Sequence, residues 1–431
     1  MTRGAGRANG EEAGPLNALS FIADDVTGAC DVAAELATAG HRVEVVTGAS
    51  AAVTEDGVLR IVNTQSRMLS SREAYARVLE AVQEQEPGIL LKKIDTALRG
   101  HLGAELDAVL DGWPGATAFV LAAIPSAGRV TRSGRQWFGE HELAETEFAG
   151  DSEGAGGESS IAGVLALESE RRVDLIDLTA VRDGRCAEHA RAMMQRGCRV
   201  FVVDAETDDD VERAVDVLVT LPKPLCLAGS IALVAACAGR RPAPLPSCRG
   251  GQVPELTSRP VLVVSGSLHS RARSQCAAAV AAGCAVEMSI PMTGAATRYA
   301  ALGAVATAHL ASGRNVILSA PVPEAHPEPA RRRAMQERMA LFAARLVGTA
   351  SVGTLALIGG ETAHAILTTL QGRRLTITGR VMPLIAHGEI ASGPSAGMTV
   401  ITKGGSGGDD EALARILGAA SGSRSEESVG R

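Results

Sequence analysis

Aromatic side chains are nearly missing from this sequence: six Phe, two Tyr and two Trp, or 2% of 431 residues. Platforms of stacked rings are the usual means of holding single-stranded nucleic acid, so that class is excluded first. Excess positive charge is missing too. Lys and Arg number 42 against 49 Asp and Glu, a net charge of −7. Such a chain has no overall attraction for nucleic acid or an anionic membrane surface. No apolar run approaches the roughly 20 residues of a membrane helix. The first residues, MTRGAGRANGEEAGPLN, hold no apolar segment of the kind a secretory signal needs. The eight cysteines, at 30, 186, 198, 226, 237, 248, 276 and 284, include no Cys-x-x-Cys pair. They read as reduced, buried thiols of a cytoplasmic protein, in preference to a zinc site.

What is present is a rhythm. Short apolar runs at 18–23, 42–47, 58–64, 89–94, 117–123, 173–178, 199–204 and 225–229 predict strands. Amphipathic stretches at 27–39, 71–84, 101–111, 185–196 and 208–220 predict helices between them. The alternation marks an α/β fold with largely parallel sheets. Residues 241–259 are rich in Pro and Gly and predict a linker. The rhythm then restarts, with strands at 261–265, 286–290, 315–319, 354–358, 374–379 and 397–402. Helices are predicted at 270–282, 295–312, 329–346, 361–370 and 409–417. The expected organisation is two α/β lobes, 17–240 and 260–418, with a cleft between them and disordered tails at 1–16 and 419–431.

Chemistry concentrates at strand ends, where open α/β sheets bind ligands. Asp24 and Asp25 follow one strand and precede a helix. Two adjacent carboxylates repel, so the pair suits a cation or a ligand hydroxyl, whereas capping the helix needs only one of them. Lys92-Lys93-Ile94-Asp95-Thr96-Ala97-Leu98-Arg99 sets three cations around one carboxylate, which reads as a clamp for an acidic substrate. Arg67 and the turn Pro125 to Arg129 close two further strands. Arg67 offers a planar fork for a carboxylate or phosphate. Residues 148–163 form a Gly/Ser-rich acidic stretch that reads as either a lid or an idle loop. In the second half, Ser265-Gly266-Ser267, Gly359-Gly360-Glu361-Thr362 and Lys403-Gly404-Gly405 each lead from a strand toward a helix. Glycine there lets backbone N–H groups approach phosphate, so the three turns together predict a nucleotide pocket. The P-loop and the Rossmann fingerprint are both missing, which removes a conventional dehydrogenase.

In order and spacing these motifs, with Ile22 to Ala29 and Lys92 to Gly100 the longest, resemble the four-carbon acid sugar kinase family over about residues 17–418. The resemblance implies an ATP-dependent kinase acting on the terminal hydroxyl of a sugar acid such as threonate, erythronate or 3-oxo-tetronate. It places the acid on the N-terminal half, at Asp24 or Asp25, Arg67 and Lys93 to Thr96, including Asp95. Arg99 and Arg129 stand beside them. It places ATP at Ser265 or Ser267, Gly359 to Thr362, and Lys403, Gly404 and Gly405. The implied mechanism is in-line transfer with Mg²⁺ bridging the phosphates and Asp25, or secondarily Asp95, accepting the hydroxyl proton. Departures from the family pattern at Thr96-Ala97, His101, Leu268-His269, Leu384 to Ala386 and Gly404 to Gly408 alter pocket walls and spare the charged residues. With no aromatic in the three turns, the base of a bound nucleotide is expected between aliphatic groups and backbone, without a stacked ring. Ala-rich helical faces would allow a homodimer. The competing readings are a catalytically silent sugar-acid or nucleotide binder and a kinase for another small hydroxy acid.

Overall fold

The computed structural model describes residues 19–48, 57–150, 157–239, 260–291, 296–321 and 329–419. The expected N-terminal tail, the linker, nearly all of the C-terminal tail and part of the Gly/Ser-rich stretch lie outside them.

The first half contains β1 (Leu19–Ala23), β2 (Arg42–Thr47), β3 (Val58–Asn63), β4 (Ile89–Lys93) and β5 (Thr117–Leu121). A small antiparallel sheet follows, of β6 (Arg129–Arg132), β7 (Arg135–Phe138) and β8 (His141–Glu142), and then β9 (Val173–Ile176), β10 (Val200–Val203) and β11 (Leu225–Gly229). Its helices are α1 (Val26–Thr38), α2 (Ser71–Gln83), α3 (Leu102–Gly112), α4 (Ile161–Ala166), α5 (Leu178–Arg182), α6 (Cys186–Met194), α7 (Asp208–Leu218) and α8 (Ile231–Ala238). The second half contains β12 (Val261–Ser265), β13 (Ala285–Ser289), β14 (Asn315–Ser319), β15 (Thr354–Ile358), β16 (Arg374–Met382), β17 (Ile385–Ile390) and β18 (Thr399–Lys403). Its helices are α9 (Ser270–Ala281), α10 (Ala296–Ala311), α11 (Pro329–Thr349), α12 (Gly360–Thr369) and α13 (Ala412–Ala419). No helix among the described residues is long and apolar enough to cross a membrane.

The two halves share one sheet. Its order is β13-β14-β12-β15-β18-β17-β16-β2-β3-β1-β4-β11-β5-β10-β9. All pairings are parallel except those of the β16–β17 hairpin with itself, with β2 and with β18. Strands such as Val261–Ser265 are buried along their whole length, as parallel strands with helices on both faces must be. The apolar core beneath one face runs unbroken from Phe21 and Leu91 to Val264 and Leu357. Cores under α2 to α4 and under α9 and α13 cover the other face.

The two parallel blocks run in opposite directions across the hairpin. A flat sheet would put their carboxyl ends on opposite edges. Six strand-to-strand steps separate β15 from β1. At about 20–25° of twist per step, the strands rotate by about 120–150°, which brings the carboxyl ends of both blocks most of the way back to a common place. Helix α1 fills the seam. Ten of its 13 residues are buried, which suits its Ala- and Val-rich sequence. Its C-cap is Ala39, and Gly40 follows at φ 94°, the left-handed position that favours glycine.

Candidate active site

Strand register sets the level of the loops that follow the strands. Ala23 pairs with both Asn63 and Lys93, so Asp24, Thr64 and Ile94 leave their strands together. Ser265, Ile358 and Lys403 lie abreast in the other block. There the Gly266 N–H donates to the Ile358 carbonyl (3.3 Å) and the Gly359 N–H to that of Lys403 (2.9 Å). The three glycine turns are thus knitted side by side.

Asp25 is the N-cap of α1: its Oδ1 accepts from the Gly28 N–H at 2.8 Å, and its Oδ2 from the Thr27 hydroxyl at 2.6 Å. Arg67 donates to Asp24 from Nε and Nη2 (2.8 Å each), and Nη2 also reaches Asp25 Oδ1 at 3.0 Å. Burial opposes the charge of Asp24, but Arg67, Lys92 and Lys93 hold its carboxyl below the ordinary value. The fork of Arg67 is therefore spent mainly on this acidic pair. Asp95 is held by Arg99 through Nε (2.6 Å) and Nη2 (3.1 Å). Burial works against its charge as well, yet Arg99 and Arg67 keep its carboxyl well below the usual range.

Side chains alternate along β4, and its two lysines part company. Lys92 turns to Glu105 on α3, 2.5 Å away and fully buried. Lys93 stays beside Gly28, its Nζ donating to the Ile94 carbonyl at 2.7 Å. Arg129 donates to the Thr96 hydroxyl and, across the seam, to Ser406 Oγ at 3.1 Å.

A cavity of about 410 Å³ opens where the two halves meet. Of the residues singled out from sequence, Asp25, Arg67, Arg99, Ser267, Gly359 to Thr362, Gly404 and Gly405 line it. Asp24, Lys93, Asp95, Thr96, Arg129, Ser265 and Lys403 lie behind or beneath the wall. Approach across the seam is close, since a Cβ on Gly360 would lie 2.1 Å from Asp25 Oδ2; within the second half, one on Gly405 would lie 2.3 Å from Ser267 Oγ. Glu361, next to Gly360, is pushed up to about 7 by burial, with Arg67 opposing and Asp25 reinforcing.

Sequence reasoning missed part of the wall. A short 3-10 turn after β8 carries Glu147 and Phe148 over to the second half. Both carboxylate oxygens of Glu147 accept from Ser270 Oγ at 3.0 Å, and Oε1 lies 3.2 Å from His269 Nε2. The Phe148 ring sits 5.2 Å from that of His269 and beneath the guanidinium of Arg99. The three turns themselves carry no aromatic, but this ring lines the same cavity from the other half of the chain, 117 to 257 residues before the glycine turns it faces, so no local pattern could reveal it. Arg332 and Gln336 of α11 complete the rim, also without a local signal. Asp31 on α1 was missed as well. Burial lifts its carboxyl to about 7, with Lys93 opposing and Asp25 reinforcing.

With this geometry in view, comparisons with known proteins become specific. A family model described as a sugar-binding N-terminal domain matches residues 19–237, and one described as a nucleotide-binding C-terminal domain matches residues 262–413. A D-threonate kinase of Salmonella typhimurium is 31% identical, the match covering 93% of this chain and 97% of the relative. The chain belongs to the four-carbon acid sugar kinase family. Another family member, a D-threonate kinase of Bordetella bronchiseptica, is 30% identical over 92% of this chain and 96% of its own. A 3-oxo-tetronate kinase of Cupriavidus necator is 28% identical over 85% of this chain and 89% of its own. A crystal structure of a Haemophilus influenzae protein superposes with a TM-score of 0.68 at 20% identity, covering 94% of this chain and 99% of that one, which shows the shared fold. Membership in this kinase family gives the Gly360 contact a consequence. Gly360→Ala is expected to lower kcat by about 10²-fold, because the Cβ must displace the Asp25 carboxylate. The displaced carboxylate also caps α1 and meets Arg67, so stability should fall by about 1–2 kcal/mol as well, with the protein still folded. A wild-type kcat would show that the contact does not matter.

Proposed function

We propose that the chain transfers the γ-phosphoryl group of ATP to the terminal hydroxyl of a four-carbon sugar acid of the threonate, erythronate or 3-oxo-tetronate type. The observation that carries the reading is the approach of Asp25, from the half that matches the sugar-binding model, to Gly360, from the half that matches the nucleotide-binding model. In this reading the acceptor O–H gives its proton to Asp25 as its oxygen bonds to the γ-phosphorus, and the bond to the β-phosphate oxygen breaks to release ADP. Lys93, behind the wall beside Gly28, supplies positive charge toward the acid's carboxylate; among the described residues its ammonium makes one hydrogen bond, to a carbonyl. Arg67 orients Asp24 and Asp25. The glycine turns receive the phosphates, and Phe148, between Arg99 and His269, walls that side of the cavity and excludes water.

Among the described residues no group of three or more His, Cys, Asp or Glu could hold a metal ion. That fits Mg²⁺ arriving on the nucleotide, since it is commonly held by phosphates, water and one or two carboxylates. Glu361 is the carboxylate that would meet it, and the bound ion would neutralise phosphate charge. The test is ADP release with Mg²⁺ and ATP over the C4 and C5 sugar acids. Release is expected with at least one C4 acid and not with the matching uncharged alditol. No release with any acid would favour the silent binder.

A further inference from the structure

Lys403 ends β18 directly beneath the third glycine turn. Its side chain is among the largest fully buried ones in the molecule, at 1% exposure. Among the described residues no carboxylate lies within ion-pair distance of it. Its Nζ instead donates to the carbonyls of Gly404 (2.8 Å) and Gly405 (3.2 Å). Both peptide units are trans. In a planar trans unit the N–H points opposite to the C=O. Drawing these two carbonyls down to the ammonium therefore turns the N–H groups of Gly405 and Ser406 up, toward the cavity that Gly404, Gly405 and Ser406 line. Neither N–H has an acceptor among the described residues. Successive backbone N–H groups aimed into a concavity make an anion site.

We propose that Lys403 is a positioning residue for the nucleotide: it never touches the phosphates, but it aims the Gly405 and Ser406 amides at them, and the phosphates supply the anion that this buried cation lacks. The proposal rests on the nucleotide reading given above. A buried charge without a partner is costly, and an anion arriving a few ångströms away removes that cost.

The free protein is consistent with this. Burial lowers the ammonium of Lys403 to about 8. Cys276 on α9 pulls upward, Arg271 at the start of α9 pushes the same way as burial, and Asp31 on α1 pulls upward. His269, beside Arg271, also faces it. The flanking strands β15 and β17 present Ile358 and Ile385, which carry no charge. An anion above the turn must raise the value. Nucleotide binding above pH 8 should then take up a proton, and affinity should fall as pH rises.

The test is calorimetric titration of the full chain with Mg²⁺ and ADP, whose phosphates are fully ionised above pH 8. Run at pH 8.5 in two buffers of different ionisation enthalpy, the wild type is expected to take up a large fraction of one proton per ADP. Its Kd should weaken by about tenfold between pH 8 and 9.5. Lys403→Met should weaken ADP binding at least about tenfold at pH 7.5 and abolish both the uptake and the pH dependence. Lys403→Arg, charged at every pH used, should recover most of the affinity without the uptake. ADP binding with no proton uptake and a flat profile in the wild type overturns the proposal, even if Lys403→Met fails to fold. So does wild-type affinity in Lys403→Met. No ADP binding at any pH would overturn the nucleotide reading itself, a distinct result.

Discussion

Asp25→Asn should lower kcat by about 10²–10⁴-fold, the usual contribution of a positioned base, with the fold intact. Asparagine caps helices as well as aspartate does, so the Gly28 N–H keeps its acceptor and α1 its start. What the variant loses is the negative charge facing Arg67 and the affinity for a proton at the oxygen nearest Gly360. Asp95 is the weaker candidate on geometry: unlike Asp25 it does not line the cavity, and both of its oxygens are taken by the fork of Arg99. An anion stabilised that well is a poor proton acceptor, so Asp95→Asn should act mainly by releasing Arg99 and raising KM. Glu361 offers the sharper comparison, because its carboxyl titrates at about 7. A base with that value must lose its proton to act, so activity would fall below pH 7, and Glu361→Gln would remove both the limb and the rate. Turnover of Asp25→Asn within threefold of the wild type would remove Asp25 as the base, and an acid limb near pH 7 that Glu361→Gln abolishes at saturating Mg²⁺ would then point to Glu361.

Much of this site was legible because its parts end strands. A run such as Leu19–Ala23 announces itself by composition, and the charged or glycine-rich residues that follow it must then lie at a carboxyl edge. The register that places Ser265, Ile358 and Lys403 abreast follows from the same logic. What could not be read was anything decided by tertiary packing. Lys92 and Lys93 look equivalent in sequence, yet the strand's alternation sends one into a buried pair and leaves the other at the site. The β16–β17 hairpin welds two expected lobes into one sheet, but Ile385–Ile390 carries His, Gly and Glu and lacks an apolar run. The small β6–β8 sheet did leave a signal. Ser133 and Gly134, at φ 51° and 71°, form the two-residue turn that a tight hairpin prefers, within a polar stretch that otherwise reads as loop. That sheet leads the chain to Glu147 and Phe148, so missing it meant missing the wall they build.

Lys92→Met should destabilise the protein by about 3–5 kcal/mol, the cost of breaking a buried ion pair from one side. Lys92 and Glu105 are 1% and 2% exposed and 2.5 Å apart. Burial disfavours the Lys92 ammonium, but Glu105 and then Asp24 raise it above its ordinary value. A raised lysine contributes its stabilisation below the unfolded value of about 10.4 and loses it only as pH climbs beyond the folded one. The pair therefore acts across the whole neutral range. Lys92→Met leaves a carboxylate in an apolar layer with one hydroxyl, that of Ser66 at 2.5 Å, for company. Adding Glu105→Gln removes the stranded charge and keeps an oxygen for Ser66, so the double variant should recover most of the loss in urea unfolding. The network also bears on the site. Ser66 lies in the loop that delivers Arg67 to Asp24, and its hydroxyl is also bonded to Thr64 at 2.8 Å. If the pair anchors that loop, the double variant should be stable yet show a raised KM for the acid with kcat nearly kept. A single variant within about 1 kcal/mol of wild type would mean that the buried pair is solvated or replaceable, and that Arg67 is held by Asp24 and Asp25 alone.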